Sequence, residues 1–301
     1  MEKVAYIFPG QGVLPREVTQ LPYWQRERFR QTFEEASEVL GINLLDIFLQ
    51  PQKRALLNEG VIARPAVVTF NVACLKVLNE QTHLTPVVVA GHSVGEYSAL
   101  VAAGALQLTD AVKAAQEIAA LIQSYFPNSS GLMAAIVGLQ PAAVEQLCAE
   151  VCKKEFVAPA AYNSHIQVVI SGYRNAVTEV MQKALKRGAK RVQLLPICGP
   201  YHTPLLQPLM QEIEAIIARL PLQSFKVPVL SNDEVNYLSS ENARKLLAEH
   251  TMRPVRWQQV MEFLTSSDLH GIVEVGPMRL LSKFFKNSKI EIRHFEELIE
   301  N

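Results

Sequence analysis

An excess of charge of either sign is the first thing this chain lacks. Its 29 lysines and arginines are balanced by 29 aspartates and glutamates, so the formal net charge is zero. A neutral chain exerts no global pull on nucleic acid or on an anionic lipid surface, which removes both as leading partners. Long hydrophobic runs are missing too: no segment approaches the roughly 20 apolar residues that a membrane-spanning helix needs. The apolar run Val4 to Phe8 is too short for a secretory leader and breaks at Pro9-Gly10-Gln11-Gly12. Cysteine is scarce, with only Cys74, Cys148, Cys152 and Cys198. Cys148 and Cys152 share a helix face, but no nearby His or Cys pair completes a zinc site. Reduced, mostly buried thiols and a cytoplasmic location are therefore expected, with no bound metal or tightly held cofactor.

What is present is core. Of the 301 residues, 49% are hydrophobic and 19% charged, the balance of a globular chain with one large or two modest domains. Lys3 to Phe8 reads as a strand running into a Gly-rich turn. Helical patterns follow at Tyr23 to Leu40 and at Pro65 to Asn79, where Val68, Val72, Leu75 and Leu78 recur at helical spacing. Pro86 to Ala90 is rich in β-branched residues and reads as a buried strand. A helix begins near Glu96, and another spans Asp110 to Tyr125. The breaker cluster Pro127-Asn128-Ser129-Ser130-Gly131 marks a boundary. After it come strand Leu132 to Val137, helix Pro141 to Val151, strands Phe156 to Tyr162 and Gln167 to Ser171, helix Asn175 to Lys186 and strand Lys190 to Pro196. That βαββαβ order is a ferredoxin-like unit. Mixed helices and short strands follow Gly199, including Val227 to Leu230 and Gly271 to Val275. The expected architecture is an α/β domain over 1–127 and 200–301, interrupted by a small domain over 128–199.

Gly91-His92-Ser93-Val94-Gly95 lies between a buried strand and a helix, the pattern of a nucleophile elbow. The glycines leave room for a tight turn that lifts the Ser93 hydroxyl clear of the sheet, near helix N–H groups able to stabilise an oxyanion. The plain alternative is a connection in which the serine only caps the helix. A nucleophilic serine needs a base. His83, His294 and His270 are expected at the surface, and His165 in a structural connection. His250 has no partner legible from spacing, and the position of His92 beside the nucleophile points it away as a base. His202, in the breaker-flanked loop Gly199-Pro200-Tyr201-His202-Thr203-Pro204, is favoured by position alone.

Phe8-Pro9-Gly10-Gln11-Gly12, Gly91-His92-Ser93-Val94-Gly95-Glu96 and Tyr201-His202 occur in an order and at separations that resemble the malonyl-CoA:acyl-carrier-protein transacylase family. That family includes the acyltransferase domains of fatty acid and polyketide synthases. Asn163 with Gln167 to Gly172, Pro254 to Trp257 and Glu274 to Pro277 extend the similarity over nearly the whole chain. The resemblance implies an α/β-hydrolase-like large domain with a ferredoxin-like insertion. It implies Ser93 as nucleophile, His202 as general base and acid, and a backbone carbonyl at His250 orienting that histidine. The oxyanion donors would be the backbone N–H groups of Gln11 and Val94, and Asn163, His92 and Tyr201 would lie near the acyl pocket. The substrate would be an acyl thioester on the phosphopantetheine of an acyl carrier protein or on coenzyme A.

Two departures stand out. Malonyl-selective members carry an arginine on the helix after the nucleophile, and ungapped counting puts Ile118 there. No arginine occurs between Arg64 and Arg174. A malonate carboxylate in such a pocket would be desolvated without a partner, at roughly several kcal/mol. Arg64 replaces the usual glutamine before Pro65-Ala66; it either projects into the site and restores carboxylate recognition or faces solvent. The loss at 118 favours uncharged acyl groups. It makes hydrolysis of stalled acetyl or short acyl chains from acyl carrier protein, in polyketide biosynthesis, the preferred reading. The alternatives are an acyl-CoA (malonyl or other):acyl carrier protein transacylase, a generic esterase or lipase, and a silent carrier-protein docking module.

Overall fold

The structure, a computed structural model, describes residues 2–12, 14–15, 17–127, 130–285 and 288–299. Five strands, β1 (Val4–Phe8), β2 (Pro86–Gly91), β7 (Val229–Leu230), β8 (Gly271–Glu274) and β9 (Glu291–His294), form a parallel sheet in the order β7-β2-β1-β8-β9. The central pair β1 and β2 is almost wholly buried, as expected of parallel strands covered on both faces by helices. β1 and β2 both end at the same edge, Phe8 opposite Gly91, so the turns that follow them emerge side by side. The helix α4 (Gly95–Ala102) leaves the β2 turn, and α3 (Gly60–Gln81) and α5 (Leu108–Tyr125) pack against one another.

The second sheet is antiparallel, order β4-β5-β3-β6, from β3 (Gly131–Val137), β4 (Val157–Ser164), β5 (Gln167–Tyr173) and β6 (Arg191–Cys198). Helices α6 (Pro141–Cys152) and α7 (Arg174–Lys186) cover one face. Period-two alternation assigns the faces. Leu132, Ala134, Ile136, Val168 and Ile170 join the core beneath these helices, whereas Met133, Ala135 and Val169 face the large domain. The whole is an α/β-hydrolase-like domain carrying a ferredoxin-like one. Val255 stitches them together: its N–H donates to the Ala160 carbonyl and its carbonyl accepts from Tyr162 N–H.

Several sequence expectations need correction. The long apolar helix starts at Gly60, so Pro65 lies inside it and Arg64 is helical. A proline in the second turn forfeits one main-chain bond, a loss the surrounding packing outweighs, since most side chains of α3 are buried. α3 is also long and apolar enough to span a membrane, contrary to expectation, yet 89% of its most apolar window is buried inside the protein. The first long helix, α1 (Glu27–Leu40), starts four residues later than periodicity placed it. His294 is not exposed; it is buried, and its Nε2 donates to the Gly276 carbonyl. Cys152 is exposed, whereas Cys74 and Cys148 are buried. Of the breaker cluster, Asn128 and Ser129 lie outside the described residues.

The elbow is packed backbone against backbone. A β-carbon on Gly91 would lie 2.1 Å from the Gly95 carbonyl carbon, and one on Gly95 would lie 2.4 Å from the Phe8 carbonyl oxygen. Gly91→Ala should therefore destabilise the protein by about 1–3 kcal/mol or more, as overpacking does. Denaturant midpoints read this, and an unchanged midpoint would mean the backbone yields freely there.

Candidate active site

Ser93 sits in the turn between β2 and α4 with φ 52°, and His202 in the loop after β6 with φ 61°. Left-handed backbone costs a residue with a β-carbon about 1–2 kcal/mol, so both positions are held by their surroundings. For Ser93 these are the glycine contacts of the elbow and the Gly95 N–H to His92 carbonyl bond. For His202 they are its own N–H to the Thr251 carbonyl at 2.6 Å and the Thr203 hydroxyl to the Pro200 carbonyl. The result is a hydrogen bond of 2.7 Å between Ser93 Oγ and His202 Nε2, across 109 residues of chain.

The other ring nitrogen fixes the tautomer. His202 Nδ1 lies 3.0 Å from the His250 carbonyl and 3.1 Å from the Arg253 carbonyl. Carbonyls only accept, so Nδ1 carries the hydrogen and Nε2 offers its lone pair to the Ser93 hydroxyl. The carbonyl at His250 thus faces the ring, and Arg253 adds a second that spacing could not reveal. Among the described residues no carboxylate touches His202. Burial, first, and then the nearby His250, Arg64 and His92 hold its pKa well below the ordinary 6.5.

The Pro9-Gly10-Gln11 turn abuts the elbow closely: a β-carbon on Gly10 would lie 2.6 Å from the His92 carbonyl oxygen and 3.3 Å from Ser93 Cβ. Gln11 lines the same cleft as Ser93. Val94 is the residue immediately before α4, where a backbone N–H has no partner within the helix, and its side chain is buried. His92 does not turn away from the cleft. It lines it, its Nε2 donating to Asn163 Oδ1 at 2.8 Å, with Trp257 edge-on at 5.3 Å. Burial lowers the His92 pKa to about 4.

The cleft, of about 290 Å³, runs between the two domains. Met133, Ala135, Val169, Leu195 and Ile197 of the small sheet and Leu280 and Phe284 of the large domain form its apolar lining, and Gln167, Arg191 and Gln193 add polar groups from the small sheet. Sequence reasoning missed Leu280 and Phe284. Their loop is anchored by the buried Glu274 carboxylate, which accepts from the N–H groups of Leu280, Leu281 and Ser282. The motif Glu274-Val275-Gly276-Pro277 was the available signal. Also missed was the buried contact between Glu96 and His250 Nδ1, 2.8 Å apart without the alignment of a hydrogen bond.

Ile118 departs from its expected part, and Arg64 takes one of the two left open for it. Ile118 is fully buried in the core along α5 and does not line the cleft. Arg64 is 1% exposed and does line it, with its guanidinium carbon 4.8 Å from the centre of the Tyr201 ring. The reading that Arg64 faces solvent is overturned. The stacking contributes about 0.5–2 kcal/mol, less than the several kcal/mol that burying a cation without a counter-charge costs. Among the described residues no acidic side chain pairs with Arg64, and its Nε and Nη2 have no hydrogen-bond partner. Nor do those residues contain a group of three or more His, Cys, Asp or Glu placed to hold a metal ion.

A serine and a neutral imidazole aligned at a strand-to-helix elbow, on this two-domain α/β fold, define a serine–histidine enzyme. The chain belongs to the acyl transferase domain family, which matches residues 5–290. It is 33% identical over 292 residues to the malonyl CoA-acyl carrier protein transacylase of Escherichia coli K12, covering 95% of this chain and 93% of that one. To the enzyme of the same name in Bacillus subtilis strain 168 it is 32% identical, covering 95% and 90%. Among solved structures, the malonyl CoA-acyl carrier protein transacylase of Coxiella burnetii superimposes with a TM-score of 0.91 at 33% identity, over 99% of this chain and 95% of that. A malonyl-transacylase in complex with its type II PKS acyl-carrier protein gives 0.90 at 32%, over 97% and 95%.

Two outcomes follow from this geometry. Because His202 must be neutral to accept a proton, the acid limb of kcat/KM against pH should fall below 6.5. A limb at or above that value would show that His202 is not held in a desolvating site. Ile118→Val should cost about 0.5–1.5 kcal/mol of stability, as core truncation does, and leave the ratio of acyl groups loaded on the protein unchanged; a changed ratio would place residue 118 at the pocket after all.

Proposed function

We propose that this protein is an acyl-CoA:acyl carrier protein transacylase. The reading rests on the 2.7 Å contact between Ser93 Oγ and His202 Nε2 at the floor of an apolar cleft. His202 Nε2 takes the Ser93 proton as Oγ attacks the thioester carbonyl of acyl-coenzyme A. The backbone N–H groups of Gln11 and Val94 face the oxyanion of the tetrahedral intermediate. The C–S bond then breaks, His202 returns the proton to the departing thiol, and an acyl-Ser93 ester remains. In the second half, the phosphopantetheine thiol of the carrier protein gives its proton to His202 and attacks the ester. Ser93 Oγ leaves and recovers that proton.

Transfer and hydrolysis share every step up to the acyl-enzyme, so the environment of the ester decides between them. The apolar part of the lining disfavours a free water beside the ester and matches the aliphatic portions of a pantetheine arm, and its Gln167 and Gln193 match the amides of that arm. Transacylation is also the activity named for the relatives at this identity and coverage, and malonyl is the acyl group in their names. The hydrolase reading rested on Ile118 as a pocket residue, a position now placed in the core, and no relative described above carries that activity in its name.

Mixing the protein with acyl-coenzyme A and holo carrier protein, and following intact masses, tests the proposal. Acyl carrier protein should accumulate faster than free acid. Free acid in excess would favour a hydrolase, and untouched thioester a silent docking module. Ser93→Ala should abolish the acyl-enzyme mass, and His202→Ala should slow its formation by about 10²–10⁴-fold. Labelling that persists in Ser93→Ala would move the nucleophile elsewhere.

A further inference from the structure

Arg64 is a buried cation of the cleft that acyl transfer itself does not use. Unlike Arg191, which donates to Gln193, it has no side-chain hydrogen-bond partner among the described residues. The family resemblance puts the carboxylate-binding arginine on α5, at the position occupied here by Ile118, which is packed into the core. Arg64 approaches from α3 instead. Its surroundings are built rather than incidental. Tyr201 precedes His202 and covers one face of the guanidinium; Tyr201 is itself buried beside Gly60 of α3, where a β-carbon would lie 3.3 Å from its hydroxyl. The residues that carry the base, the stacking ring and the cation therefore meet at one corner of the cleft. Stacking engages a face of the guanidinium and leaves its in-plane N–H donors for other partners. Two of them, on Nε and Nη2, donate to nothing among the described residues, and no acidic side chain there pairs with the cation.

We infer that Arg64 binds the free carboxylate of a short dicarboxylic acyl group, such as malonyl or succinyl, carried into the cleft as a thioester. This inference rests on the acyl-transfer reading of Ser93 and His202. A carboxylate supplies both the counter-charge and the acceptors that Arg64 lacks, and charge-assisted pairing with a planar guanidinium selects it over a methyl group. The same pairing serves the base. Arg64 is one of the charges that disfavour protonation of His202, and an anion bound to it offsets that repulsion as His202 takes up the serine proton. Specificity and base strength are thereby coupled through one side chain.

The experiment is a competition between malonyl-coenzyme A and propionyl-coenzyme A, its neutral counterpart with a methyl in place of the carboxylate, for Ser93, read by intact mass of the acyl-enzyme. The wild-type protein should load malonyl preferentially, and Arg64→Met should lower the malonyl-to-propionyl ratio by about ten- to a hundredfold, the range of one charge-assisted pairing. Propionyl loading in Arg64→Met shows that the variant is folded and its elbow intact. Should that variant fail to fold, Arg64→Lys, which keeps the charge but loses the planar fork, should retain an intermediate preference. A wild-type protein that loads both equally, or variants that keep the full malonyl preference, would overturn the role of Arg64 while leaving acyl transfer standing. Failure of either thioester to load the wild-type protein would instead sink the acyl-transfer reading itself.

Discussion

Two residues with unfavourable backbone conformations meet at one hydrogen bond, and most of this fold is arranged to make that meeting possible. Ser93 and His202 each hold a positive φ, which together costs about 2–4 kcal/mol. Neither strain is relieved locally. The serine is pinned where β1, β2 and α4 converge, at contacts too close for any β-carbon on Gly91 or Gly95. The histidine is pinned by main-chain and side-chain bonds to the carbonyls of His250, Thr251 and Arg253. Strain sustained by surroundings in this way is characteristic of sites where geometry takes precedence over stability.

The choice of carbonyls to orient His202 has electrostatic consequences. A carboxylate behind an imidazole stabilises the protonated ring and raises its pKa; carbonyl oxygens fix the tautomer with only partial charge. The ring is therefore held neutral by burial and by the neighbouring charges of its environment. It is ready to accept a proton, at the expense of a less stable imidazolium. Glu96, buried against His250, places a carboxyl behind this loop. Burial, above all, raises the Glu96 pKa, opposed by its proximity to His250. The pair links the first turn of α4, which directly follows the Ser93 turn, to the residue whose carbonyl orients His202.

Much of this was legible in the sequence because turns write themselves in glycine and proline. The Gln11 turn, the elbow and the His202 loop are each bounded by such residues, and the βαββαβ order of the small domain follows from alternating periodicities. What was not legible were directions. Counting without gaps located Ile118 on α5 but could not tell which face of that helix meets the cleft. Starting α3 at Pro65 left Arg64 outside any helix, so its orientation stayed open. His92 was turned away by its place in the motif, yet Asn163 on β4, 71 residues further on, holds it in the cleft. His294 looked like a surface residue because it lies near the end of the sequence; it belongs to β9, at the sheet edge, and is sealed against Gly276.

The cleft itself belongs to neither domain alone, and this explains why its chemistry resisted a linear reading. One wall is the face of the small sheet opposite its helices, where Met133, Ala135 and Val169 point outward by strand alternation. The other is a loop held by three backbone donors on the Glu274 carboxylate. Val255 ties the first wall to the segment that immediately follows the orienting carbonyls of His202. Displacing the small sheet would thus disturb the apolar wall and the base together. An apolar wall facing Ser93 and an imidazole aimed at its hydroxyl are, in this architecture, two consequences of a single domain contact.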